Sequence, residues 1–216
     1  MTETCQFLRE LRNNNRREWF AEHKEQYDAL RTRWLGQLQQ LIHLMSQYDD
    51  SLHGVTAADC AYRIYRDIRF SHDKTPYKTF FSAVIGQGGR KCSKACYYVH
   101  FEPGNAGLFA GLWCPSPEVL RSIRSLIDAD GSELQALIDS RDIASRFSFT
   151  PLASLKKAPA GFAPDHPLIH LLRAKDYTFS HPCPDTYFTH GNWVEKAAAD
   201  FKPIKPVLDF FNYIFE

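Results

Sequence analysis

Between positions 63 and 78 the chain reads RIYRDIRFSHDKTPYK, with three arginines, two lysines, two aspartates and two tyrosines. Two chemistries fit this density of charge. In one, Arg66, Arg69, Lys74 and Lys78 receive a phosphate or carboxylate of a small ligand, with Asp73 and Tyr77 completing the site. Guanidinium forks match such anions two bonds at a time, and ammonium groups act as point charges. In the other, the same cations are internal wiring, paired with Asp67, Asp73 and with Glu18 or Glu22 upstream. These four cations outnumber Asp67 and Asp73, which favours an anion site. A small ligand is therefore the expected partner, and an interaction or scaffold protein is the alternative. A third reading is recognition of a nucleic-acid end by a few Arg and Lys on one phosphate.

The stretch from Tyr62 to Phe70 alternates with a period of two, which predicts a strand. Arg63, Tyr65, Asp67 and Arg69 share one face; Ile64, Arg66, Ile68 and Phe70 share the other. On that spacing Arg66 is expected to be buried against a carboxylate, since an unpaired buried charge is prohibitive. Pro76 then holds Thr75 extended, and Asp73 is placed to accept turn N–H groups. Further on, YVHFE puts Tyr98, His100 and Glu102 on one strand face. A His beside a carboxylate is an acid–base pair in the making, so Asp67, His100 and Glu102 are the catalytic candidates. A polar strand face turned to water is the alternative for His100 and Glu102.

Other chemistries are excluded by spacing. Cys92, Cys96 and His100 lack the close Cys pairs of a zinc site, and His166 and His170 have no acid in a His-Glu-x-x-His arrangement. GQGGR at 86–90 lacks the terminal Lys-Ser/Thr of a P-loop, and no serine stands in a Gly-x-Ser-x-Gly elbow. No metal and no cofactor are expected.

The elements that would position these residues read as α+β. Phe7, Leu8 and Leu11 mark a short helix ending in the Asn13–Asn15 run. From Trp19 a long stripe (Tyr27, Leu30, Trp34, Leu38, Leu41, Met45) predicts a helix to about Gln47, with Gly36 a candidate break. After Tyr62–Phe70, three more extended runs, TFFSAVIG, CYYVHFE and GLFAGLW, are separated by turn-rich connections. Four such runs predict a largely antiparallel sheet of four or more strands in the middle of the chain. SPEVLRSIRSLIDA predicts a helix capped by Ser116, followed by a second from Gly131 to Ser140. Prolines from 151 to 184 predict mainly loop, and Trp193–Phe215 predicts helix interrupted at Pro203 and Pro206.

Composition bounds the classes. The chain has 216 residues with a net charge of +1, which argues against bulk nucleic-acid binding. No apolar leader precedes the first charges and no window is long enough to span a membrane, so a cytoplasmic, soluble chain of one domain over 1–216 is expected. The six cysteines follow no framework spacing, which fits reduced thiols.

The block IYRDIRFSHDKTPYKTFFSAVI resembles the family of domains of unknown function numbered 2461. The likeness extends to FLRELRNNNRREWFAEHKEQYDALR, YYVHFEPGNAGLFAGLWCPSPEVLRSIR and LKKAPAGFAPDHPLIHLLRAKDY, nearly the whole chain. The motif positions it implies are Asn14, Arg16, Trp19, Phe20, Lys24, Tyr27, Arg66, Asp67, Arg69, Phe70, Asp73, Lys74, Pro76, Tyr77 and Lys78. The resemblance implies one intact domain and supplies no reaction.

Overall fold

A computed structural model of the protein describes residues 1–215. Its sheet is antiparallel: β1 (Phe81–Ile85), β2 (Cys96–Phe101), β3 (Ala106–Leu112), β4 (Ser148–Phe149) and β5 (Tyr177–Cys183), in the order β1-β2-β3-β5-β4. The first three strands form the expected meander. Pairing of Val99 with Ala83 and Leu108 aligns the apolar residues on one face. That face carries Phe81, Ala83, Ile85, Tyr97, Val99, Leu108, Ala110, Tyr177 and Phe179, all buried.

Helices cover it. The N-terminal layer is α1 (Thr2–Asn13), α2 (Arg17–Glu22) and α3 (Lys24–Met45), followed by the single turn α4 (Ala57–Cys60). The middle and C-terminal parts supply α5 (Pro117–Asp139), α6 (Arg141–Ala144), α7 (Ile169–Leu172), α8 (Asp185–Thr189), α9 (Trp193–Phe201) and α10 (Lys205–Asn212). Aromatic contacts knit the layers: Trp34 to Phe81 at 5.8 Å, Tyr97 to Phe201 at 5.1 Å, Phe101 to Phe188 at 5.1 Å and Tyr177 to Phe211 at 4.8 Å. Trp34 of α3 and Trp193 of α9 stack 5.8 Å apart, both buried. Each such ring contributes ~1.5–3 kcal/mol by leaving water. No helix among the described residues is long and apolar enough to cross a membrane.

Four expectations need correction. RIYRDIRF is not a strand: it runs as an extended arm joined by isolated bridges, Ala61 to Ala83 and Tyr65 to Tyr77. Of its supposed inner face only Ile64 is buried, and Phe70 is 94% exposed. The long helix breaks at His23, between α2 and α3, and runs unbroken through Gly36. The two helices expected at 116–140 are one, α5, because Gly131 packs tightly: a β-carbon there would lie 2.5 Å from Leu168 and 3.0 Å from Ile127. The proline-rich stretch contributes β5, an interior strand whose Pro182 lies opposite Gly107 near its end.

Candidate functional site

The arm and the turn after it fold back on each other. Arg66 donates its N–H to the Pro76 carbonyl at 2.9 Å, and Lys78 donates to that of Ile64 at 2.8 Å. Asn15, at the corner between α1 and α2, clamps the returning segment. Its amide donates to the Tyr77 carbonyl at 2.9 Å and accepts from the Tyr77 N–H at 3.1 Å. The Tyr77 ring stacks on Phe20 at 4.0 Å.

Inside this loop the charges pair locally. Arg66 donates to Asp73 and to the Thr75 hydroxyl, with a long contact of 3.5 Å to Ser71. Its side chain is 25% exposed, and its carboxylate partner lies seven residues away in the same loop, so the expectation of a buried Arg66 is corrected. Asp73 also accepts the Thr75 N–H at 2.9 Å. Arg69 binds Asp67 with both arms of its fork, at 2.9 and 2.7 Å. The Arg69 bonds hold the Asp67 carboxyl down at about 2; the Thr75 amide, then Arg66, do the same for Asp73. Both carboxylates are open to solvent, so water screens these pairs. Lys74 donates to the Ile68 carbonyl at 3.0 Å. No described ion pair reaches Glu18 or Glu22.

Between this loop, the α1–α2 corner and the entry to β1 lies a cleft of about 550 Å³. Arg66, Asp67, Asp73, Tyr77 and Lys78 line it, joined by Arg12, Asn15, Thr75, Thr79 and Phe80. Arg69 and Lys74 are not among its walls. Lys78 differs from the other cations. Its ammonium lies 4.9 Å from the Tyr62 ring centre and 5.9 Å from that of Phe80. It has no carboxylate partner among the described residues. Burial first, then repulsion from Arg63, pushes its pKa down.

On the flank of the cleft Tyr98, His100 and Glu102 share one sheet face. The Tyr98 hydroxyl meets His100 Nδ1 at 3.1 Å, and His100 Nε2 meets Glu102 at 3.4 Å. Burial pushes the His100 pKa down, outweighing the Glu102 carboxylate. Burial pushes Glu102 up, yet bonds from Thr79, Asn105 and His100 outweigh it and hold the carboxyl below its usual range. Thr79 donates to Glu102 at 2.8 Å and Arg12 at 3.1 Å, so two cleft residues are tied to this pair. Phe80 stands between, its ring 4.5 Å from that of His100. His100 and Glu102 are thus bound to the cleft wall and do not line it.

Over residues 3–210 the chain matches the model of a family described as a conserved hypothetical protein (DUF2461). The chain belongs to this family. No curated protein and no solved structure matches it. Every residue lining the cleft falls within the DUF2461 match.

Arg12, Asn15, Thr79 and Phe80 were not singled out from sequence as site residues. Arg12 carried no signal, since it sits in the last turn of α1, where basic residues favour the helix dipole. Asn15 did carry one: a run of three asparagines after a helix provides more than its cap requires. Cap geometry uses Asn14, whose side chain donates to the Glu10 carbonyl at 2.9 Å, and this frees Asn15 to clamp Tyr77.

Proposed function

We propose that the cleft receives the phosphate or carboxylate of a small ligand, with Lys78 as its principal cation and Arg66 and Arg12 at its rim. The observation that carries the reading is Lys78: half-buried, repelled by Arg63 and without a carboxylate to neutralise it among the described residues. A desolvated ammonium with no counterion is costly to the folded chain, and an incoming anion relieves that cost. Arg66 is held in place by Asp73 and Thr75, so little side-chain entropy is lost when it turns a free N–H to the ligand. Arg69 and Lys74 have roles within the loop itself, as fasteners of its two ends. A cytoplasmic location is part of the same proposal, on the scatter of the cysteines. If a reaction accompanies binding, His100 and Glu102 are the acid–base pair nearest the cleft, with Asp67 on its wall.

A noncatalytic scaffold role is the competing reading, favoured by the local pairing of Arg66 with Asp73 and Arg69 with Asp67. Thermal melting separates the two. Inorganic phosphate, ATP and acetyl phosphate are titrated at constant ionic strength against the wild type and Lys78→Met. A ligand at a hundred times its dissociation constant stabilises by about 2.7 kcal/mol. At least one anion is expected to raise the wild-type melting temperature and leave Lys78→Met unmoved. Equal shifts in the two proteins, or none in either, would hand the loop to the scaffold reading.

A further inference from the structure

At the end of β1 away from the cleft, three thiols surround one glycine. Gly86 follows the last residue of the strand, and its N–H faces the Cys60 sulfur. A β-carbon on Gly86 would sit 2.7 Å from Cys96 Cβ, 3.0 Å from Cys92 Sγ and 3.5 Å from Cys92 Cβ. The space a side chain would occupy at Gly86 is thus filled by Cys92 and Cys96 lying side by side. Both are part-buried, Cys96 the more enclosed, whereas Cys60 is fully buried.

The backbone holds the pair in place. Asn212 of α10 clamps the intervening Ala95, accepting its N–H at 2.8 Å and donating to its carbonyl at 3.0 Å. Cys92 closes the turn after Gly89, donating its N–H to the Gly89 carbonyl at 2.9 Å, and Cys96 opens β2. The two side chains are neighbours across the Gly86 gap, and the Cys92 thiol also reaches the Lys94 carbonyl at 3.6 Å. With the Cys96 thiol beside it the Cys92 pKa is drawn down, while Cys96 itself is pushed up by its neighbour and by burial. One sulfur is therefore favoured as the attacking thiolate and its neighbour as the resolving thiol.

We propose that Cys92 and Cys96 form a dithiol that hydroperoxides convert reversibly to a disulfide. The Cys92 thiolate attacks the terminal oxygen of the hydroperoxide and breaks its O–O bond. This gives a Cys92 sulfenic acid and, once protonated, an alcohol, or water where the oxidant is hydrogen peroxide. Cys96 sulfur then attacks the Cys92 sulfur. Its proton leaves with the expelled hydroxide as water, and the two electrons lost by the thiols have reduced the peroxide. A thiol reductant restores the pair by exchange. This site is independent of the anion cleft.

The test is peptide mapping of the full-length protein after stoichiometric hydrogen peroxide, with free thiols alkylated before unfolding. Trypsin cuts after Lys91 and Lys94, so a Cys92–Cys96 bond joins two peptides that are separate when reduced. The expected result is that linked pair, abolished by dithiothreitol. A Cys96→Ser variant, checked for a wild-type circular dichroism spectrum and melting curve, should stop at a sulfenic acid trapped by dimedone on Cys92. If that variant misfolds, the wild-type map still decides. The proposal is overturned if Cys92 and Cys96 stay fully alkylatable while the exposed Cys114 is oxidised, or if Cys92 links to Cys60.

Discussion

Two pairs of aspartates use similar numbers of hydrogen bonds in opposite settings. Asp49 and Asp176 are each 3% exposed. Asp176 accepts the amides of Leu152 and Ala153, at 2.9 and 3.2 Å, and the Thr178 hydroxyl at 2.6 Å. It thereby stitches the proline-rich strap to β5. Asp49 accepts from Ser51 at 2.6 Å and from the Tyr97 hydroxyl at 2.9 Å, fastening the segment after α3 to the sheet. Asp67 and Asp73 accept as many hydrogen bonds from fewer partners, and every bond stays within their own loop and in contact with water. A buried acceptor cannot be replaced by solvent when it is lost; an exposed one can. The density of charge that draws the eye to 63–78 is therefore a poor guide to what holds the fold.

Asp176→Ala is the strongest challenge to that contrast. It leaves the buried Thr178 hydroxyl and two part-buried amides without their acceptor and should cost about 2–3 kcal/mol, read from the urea midpoint. A loss below about 1 kcal/mol would mean that the strap's amides already reach water. Asn15→Ala tests the middle of the range, since its two bonds to Tyr77 are only part-buried. About 1–2 kcal/mol is expected, together with faster proteolysis of the 63–78 loop.

His100 gives a smaller, pH-dependent effect. Its folded pKa is lowered from 6.5, so between that value and its folded pKa the unfolded chain binds the extra proton. Stability should therefore fall as the pH drops through that window, and His100→Phe should flatten the slope there. Melting temperatures from pH 7.5 to 5 check this, and an unchanged slope would remove His100 from the account. Smallest of all, Asp67→Asn and Asp73→Asn should leave the denaturation midpoint within error at physiological salt. A large loss in either would place these carboxylates among the structural ones.

Much of the fold was legible because its signals are local. The alternation in CYYVHFE and the stripe from Tyr27 to Met45 each follow from which side of one element meets the core. The arm at 62–70 alternates equally well, but Arg66, Asp67 and Arg69 find partners inside their own loop, so no neighbouring strand is required to satisfy them. Alternation reports two faces without saying that either is covered. β5 was hidden for the opposite reason: Pro182 argues against an interior strand, but β4 pairs only with Phe179 and Ser180, so at Pro182 one side of β5 carries no ladder for it to break. In the site, the composition of the loop was readable and its pairing was not. Lys78 looked like one cation among several, and only the packing of Tyr62, Phe80 and Arg63 around it sets it apart.

The stacking of Trp34 on Trp193 bears on the order in which the chain assembles. The ring on α3 leaves the ribosome early, while its partner lies near the other end of the sequence. Until α9 emerges, the face of α3 that carries Trp34 lacks its final cover, and synthesis at about 5–20 residues per second leaves it so for many seconds. Closing so long a loop before the contact is rewarded slows folding. A nascent chain stopped short of α9 should therefore be the species that chaperones hold.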